Sequence, residues 1–164
     1  ISLISFYKIK YSFNLLQSIN PYVAHIGVGI AIIGITCSSV FKYEYNFNLN
    51  EGDQIKIKNT NISLEKVEVS NEINYQALRA NFLIEKDDKL VGNIKAGKNY
   101  YYVSKMITTE AGIFHEWYRD IYFIVGDQKD NNWFVKVYIN PLVSFIWVGV
   151  FIMVCSGFIG VTKR

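Results

Sequence analysis

The sequence predicts a membrane protein: two transmembrane α-helices flanking one external, mainly β domain. Three features point there. Two long runs carry no charge, every acidic residue lies between them, and the interval alternates apolar with polar residues as half-buried strands do.

The first helix is read over 21–41. Between Lys10 and Lys42 there is no Asp, Glu, Lys or Arg, and Pro21 to Phe41 is apolar or small almost throughout. That is about the length needed to cross roughly 30 Å of hydrocarbon. The second is read over 141–161, inside a charge-free gap from Lys136 to Lys163. Each run opens with a proline, which a first helical turn accommodates because its missing N–H would be unpaired there. Residues 1–20 are aromatic, aliphatic and weakly basic, suiting an inner-side interfacial segment. No small-residue cleavage site follows the first run, so it reads as a span and not a secretory signal.

Orientation follows from charge. All 14 acidic residues lie between Glu44 and Asp130, and residues 42–140, which also hold 13 of the 17 basic ones, are left at net −1. Lys8, Lys10, Lys163 and Arg164 have no acidic company. Basic residues beside a span stay on the cytoplasmic or matrix side. Both termini are therefore expected inside, with 162–164 an inner basic tail. The middle domain then faces the periplasm or intermembrane space. The net charge of +3 is an anchoring signal and gives no support to nucleic-acid binding. Cys37 and Cys155 would lie about 15 Å apart in depth at 1.5 Å per residue, which argues against a disulfide.

Within 42–140, strands are expected at Ile55–Lys58, Ile62–Val69, Ile73–Ile84, Tyr100–Ile107, Ile121–Val125 and Trp133–Ile139. Turns are expected at Asn50–Asp53, Lys86–Asp88, Ala96–Asn99 and Gly126–Asn132. Six or so strands make a small sandwich or open barrel. There is no Cys-His cluster, glycine-rich phosphate loop or metal-ligand spacing. His115 falls in Phe114–Tyr118, where β character lapses, and reads as a surface or interface histidine. Arg119-Asp120 reads as an ordinary ion pair, with a docking feature as the alternative.

His25 stands apart. An ionisable residue one turn into a span is costly and should face protein, water or a ligand. Gly27, Gly29 and Gly34 allow another helix, or a flat macrocycle, to come close. From these residues alone His25 is either a hydrogen-bonded structural histidine near the interface or an axial ligand of haem iron.

Several segments resemble one family in its own order. Ala24-His25-Ile26-Gly27-Val28 is similar to a transmembrane Ala-His-x-Gly-Val, and Thr108-Thr109-Glu110-Ala111-Gly112-Ile113 to Thr-Thr-Glu-Ala-x-Ile. Asp120-Ile121-Tyr122 with Gly126-Asp127 resembles Asp-Leu-Tyr…Gly-Glu. Asn140-Pro141-Leu142-Val143 with Ile146-Trp147-Val148-Gly149 and Met153 resembles a final helix. The family is CcmF, the haem lyase of the multi-subunit cytochrome c maturation pathway, and the likeness covers the C-terminal quarter or so of its full-length members. Departures lie at Ala96-Gly97-Lys98-Asn99, where the family has Pro-Glu-Lys-Arg, and at Phe114–Tyr118. The family's tryptophan-rich haem-handling loop and its other haem-ligating histidines have no counterpart in these 164 residues.

The resemblance implies the C-terminal subunit of a membrane haem lyase, inactive alone. It implies a haem b shared with another chain, with His25 as one axial ligand to the iron. Implied partners are an upstream fragment of the same lyase, a haem-carrier protein, apocytochrome c with its thiol-handling partner, and membrane lipid. Glu110, Arg119 and Asp120 are candidate docking residues. A composition rich in Ile, Asn, Lys, Phe and Tyr points to a mitochondrial inner membrane, with a bacterial inner membrane as the other location. The alternative function is a structural subunit of a respiratory membrane assembly, without catalysis.

Overall fold

A computed structural model describes residues 3–161, with side chains from Asn20 onward. It divides into a helical unit, from 1–41 and 141–164, and a β unit over Lys42–Asn140. The basic tail expected at 162–164 lies outside the described residues, as do the side chains of the segment expected at 1–20.

The helical unit pairs α1 (Leu3–Val40) with α2 (Val143–Val161). Asn20–Val40 and Val143–Val161 are each long and apolar enough to cross a membrane. The helices run antiparallel along a seam of small residues. Among the described side chains, Gly27, Ala31 and Gly34 are the buried positions of α1, and Gly149 and Ser156 those of α2. A Cβ on Gly149 would stand 2.5 Å from the Gly27 carbonyl oxygen and 2.6 Å from the Ala31 nitrogen. Only glycine lets the two backbones approach that closely. At one end of the seam the Ser156 hydroxyl donates to the Asn20 carbonyl oxygen at 2.9 Å and also bonds its side-chain oxygen. Cys37 and Cys155 are free thiols.

Neither proline opens a helix, contrary to the sequence expectation. Pro21 lies inside α1, which runs unbroken from Leu3. Its ring removes one hydrogen bond to the preceding turn, a defect that apolar packing and neighbouring polar groups can offset. Pro141 ends a strand, and Leu142 then takes a left-handed backbone (φ 57°) before α2 begins.

The β unit is a sandwich of nine strands. These are β1 (Tyr43–Leu49), β2 (Gln54–Ile57), β3 (Thr60–Asn71), β4 (Tyr75–Lys86), β5 (Lys89–Tyr101), β6 (Ile107–Glu110), β7 (Gly112–Glu116), β8 (Arg119–Lys129) and β9 (Asn132–Pro141). One sheet has the order β1-β9-β8-β7, the other β2-β3-β4-β5-β6. The core lies between them. Leu64, Phe82 and Ile84 from one sheet meet Phe123, Val125, Val135 and Val137 from the other. Phe82 and Phe123 stack across the gap with centroids 5.0 Å apart. Two-residue turns at Asp87–Asp88 and Asp130–Asn131 have positive φ at both positions, the geometry that matches strand twist in tight hairpins.

The sandwich expected from alternation is present, with more strands than the six or so expected. The turn expected at Ala96–Asn99 is the middle of β5 instead, where Gly97 pairs with both Arg79 and Glu110. A Cβ on Gly97 would fall 2.0 Å from the Leu78 carbonyl oxygen, so this glycine marks a close approach inside a sheet and not a reversal. The turn expected at Gly126–Asn132 shrinks to Asp130–Asn131, because β8 runs on to Lys129. Tyr100–Ile107 is the end of β5, a turn and the start of β6. Phe114–Glu116, expected to lie where strand character lapses, belongs to β7.

Candidate functional site

His25 sits one turn beyond Pro21 on α1. Its Nδ1 lies 2.6 Å from the Pro21 carbonyl oxygen. That contact is a hydrogen bond when Nδ1 carries the proton, which leaves Nε2 with its lone pair free. A neutral imidazole in that tautomer, oriented by a backbone carbonyl, is the form in which histidine binds a metal. The ring is exposed and lies on the face of α1 opposite the Gly27–Ala31–Gly34 seam, about 160° around the helix axis at 100° per residue.

The three glycines therefore divide. Gly27 and Gly34 are used against α2, where added Cβ atoms would stand 2.8 Å from the Gly149 oxygen and 2.7 Å from the Ile146 nitrogen. Gly29, one turn beyond His25 on the same face, has nothing within 4 Å of where its Cβ would be. Imidazole and bare backbone side by side leave room for a flat ligand or a further helix. Among the described residues, no group of three or more His, Cys, Asp or Glu is placed to hold a metal ion. A metal at His25 would need its other ligands from elsewhere.

The three candidate docking residues each engage a different partner. Glu110 pairs with Arg79 at 3.0 Å and accepts a hydrogen bond from the Asn99 side-chain amide at 2.5 Å. Its side chain stays half exposed. Arg119 and Asp120 are both buried and do not pair with one another. Arg119 bonds Glu116 through Nε and donates from Nη2 to the Thr60 hydroxyl at 3.0 Å. Asp120 lies 3.0 Å from Nδ1 of the exposed His115. Lys86 reaches Glu116 at 3.3 Å, and both Lys86 and Arg119 lie over the Tyr118 ring.

This Lys86–Glu116–Arg119 network ties the β7–β8 hairpin to the other sheet. Burial works to raise the Glu116 carboxyl, but hydrogen bonds and charge from Arg119 and Lys86 outweigh it and hold the group below its ordinary range. Glu116 in turn raises Lys86. Sequence reasoning singled out Arg119 and Asp120 but missed Glu116 and Lys86. The signal available was weak: Glu116 and Arg119 flank a two-residue Trp-Tyr turn, recognisable only once a hairpin is placed there.

Residues 40–141 match the family described as the CcmF C-terminal beta-sandwich. The chain is 32% identical over 142 residues to the cytochrome c-type biogenesis protein ccl1 of Rhodobacter capsulatus, covering 86% of this chain and 22% of that protein. It is 31% identical over 143 residues to the cytochrome c-type biogenesis protein CcmF of Haemophilus influenzae, covering 87% and 22%. The chain thus spans about a fifth of the length of these relatives. A solved structure of cytochrome c haem lyase CcmF shares the fold, with a TM-score of 0.73 at 14% identity over 90% of this chain and 25% of that one. Two helices of this length and hydropathy, in a chain akin to bacterial cytochrome c biogenesis proteins, fit an inner-membrane protein.

Proposed function

We propose, on the premise that this chain belongs to the CcmF family, that it is the C-terminal part of a membrane haem lyase and supplies one axial ligand to a membrane haem b. The lyase attaches haem through thioether bonds to the Cys-x-x-Cys-His motif of apocytochrome c on the outer side of the membrane. One observation carries the ligand role: His25 Nδ1 is engaged by the Pro21 carbonyl at 2.6 Å while Gly29, on the same face, is left open. Haem b, when bound, supplies an iron that carries electrons. The chain's own part is to hold Nε2 unprotonated and aimed off the helix. The second ligand and the haem-handling loop belong to the part of the lyase upstream of these residues, and the haem carrier and apocytochrome c meet the assembly on the outer side. The location is a mitochondrial inner membrane, or a bacterial inner membrane, with the basic flanks on the matrix or cytoplasmic side.

The test uses the chain coexpressed with an upstream fragment that carries the tryptophan-rich segment. The assembly should attach haem to apocytochrome c and show a six-coordinate haem b spectrum. This chain alone should do neither. His25→Ala should abolish the spectrum or convert it to a five-coordinate form that takes up added imidazole, and His115→Ala should leave it unchanged. An unaltered spectrum in the His25 variant would exclude the ligand role. An assembly that forms without haem would identify a structural subunit of a respiratory complex instead.

A further inference from the structure

One end of the sandwich carries an exposed tryptophan together with the basic–aromatic pairs found among the described residues. It is the end where the chain enters at Lys42 and leaves after Asn140. The pairing of Tyr43 with Ile139 fixes it in one sheet, and that of Ile57 with Thr60 and Thr60 with Lys86 in the other. Lys58, in the β2–β3 turn, reaches over the Tyr43 ring at 4.8 Å, so the two sheets share this end.

The β7–β8 hairpin tip lies here too, and it projects. A Cβ on Gly126 would meet the Phe134 side chain at 2.7 Å, and Val125 is fully buried like Val135. With the Asp130–Asn131 turn joining β8 to β9, these contacts bring Asp120 at the start of β8 close to the end of β9. Trp117 is three residues further on, roughly 10 Å at strand spacing, past the last residue of the domain. Its ring is 77% exposed and packs edge-on against Tyr118 at 5.2 Å.

All the cation–π contacts among the described residues gather at this end. Lys42 and Lys136 lie over Tyr138, Lys58 over Tyr43, and Lys86 and Arg119 over Tyr118. Turn residues are ordinarily small or polar, and this tip instead carries an indole and a phenol ring side by side. Aromatic rings with basic groups at their edges are instead what proteins place at the level of lipid headgroups. Asp87 and Asp88 form the β4–β5 turn at the same end. Adsorption to anionic lipid therefore does not account for the surface, whereas insertion of an amphipathic ring does.

We infer that the Trp117–Tyr118 hairpin tip is a membrane-interface anchor that seats this end of the sandwich in the outer headgroup layer, Trp117 entering the lipid. The inference rests on the reading that the two apolar helices cross the membrane.

The chain's three tryptophans make an internal test. Trp147 belongs to α2, and Trp133 is the second residue of β9, at the opposite end of the sandwich. Three single-tryptophan versions of the full chain, the other two replaced by Phe, are reconstituted into phosphatidylcholine vesicles with and without lipid brominated near the glycerol end of the acyl chain. Bromolipid should quench Trp147 and, to a comparable fraction, Trp117, whose emission should be blue-shifted. Trp133 should be unquenched. Replacing part of the lipid with phosphatidylglycerol should not alter the Trp117 result. Quenching of Trp147 without Trp117 overturns the anchor and leaves the spans standing. Absence of quenching at Trp147 overturns the membrane reading, and the anchor with it.

Discussion

At Glu116 burial, two cations and a hairpin act on one carboxylate. Its side chain is 13% exposed and that of Arg119 is 9% exposed. Glu116→Gln would keep the shape and some hydrogen bonding but leave the guanidinium facing only Thr60 and the Tyr118 ring. Breaking a buried pair from one side costs about 3 kcal/mol or more. A lowered midpoint of urea unfolding for the detergent-solubilised chain is the expected result. The pH dependence gives a sharper criterion. Glu116 is held below its ordinary value in the fold. Its contribution is therefore complete above the unfolded carboxyl pKa of about 4.3 and is lost as pH falls through the lower folded value. The difference between wild type and Glu116→Gln should shrink over that acid window, and a constant difference would refute the linkage. Legibility at this scale followed rarity. His25 stood out because titratable groups in apolar runs are few. The partners of Arg119 did not, because its neighbour Asp120 is the obvious reading and Glu116 becomes a partner only across the hairpin.

Between elements, the decisive quantity is how closely two backbones approach. The sequence showed which runs are helical and which alternate, since composition and period survive without tertiary knowledge. It did not show what each glycine is for. Gly97 looked like a turn and is a crowded strand position; Gly27, Gly29 and Gly34 looked equivalent and are not. Strands β1, β6, β7 and most of β5 were missed: β6 and β7 have only four or five residues and too little alternation to be seen, and β5 contains the Ala96–Asn99 segment that reads as a turn. The helix seam makes a prediction of its own. At Gly149 a side chain would meet backbone atoms of Gly27 and Ala31, which cannot rotate away, whereas at Gly157 it would meet nothing within 4 Å. Overpacking typically costs 1–3 kcal/mol, enough to separate a pair held mainly by this contact. In a background with Cys37 and Cys155 replaced by Ala, cysteines at Asn20 and Ser156 should cross-link on oxidation, because those residues hydrogen-bond. Gly149→Leu should abolish the cross-link and Gly157→Leu should retain it. Survival in the Gly149 variant would mean that the seam does not hold the helices together.

For the whole molecule, the charge distribution predicts one orientation in the membrane. Every acidic residue lies between the two apolar helices, and the four basic residues outside that interval stand without acids. Translocating an unpaired Lys or Arg is disfavoured, and positive flanks are retained on the inner side. A domain at net −1 meets no such obstacle. The structure shows which positions of the β unit suit accessibility probes. Asn50 follows β1 and Asp130 is in the β8–β9 turn, both at the end of the sandwich opposite the chain connections and both exposed. A single cysteine at either position, with Cys37 and Cys155 replaced, should react with a membrane-impermeant maleimide added to right-side-out vesicles. A cysteine at Thr162 should react only after the membrane is opened. The same reagent should label the Asp130 site equally with and without detergent, which separates topology from local accessibility. Labelling of Thr162 in sealed vesicles would reverse the orientation. It would put the sandwich on the side opposite to where apocytochrome c receives haem, and the lyase role could not stand.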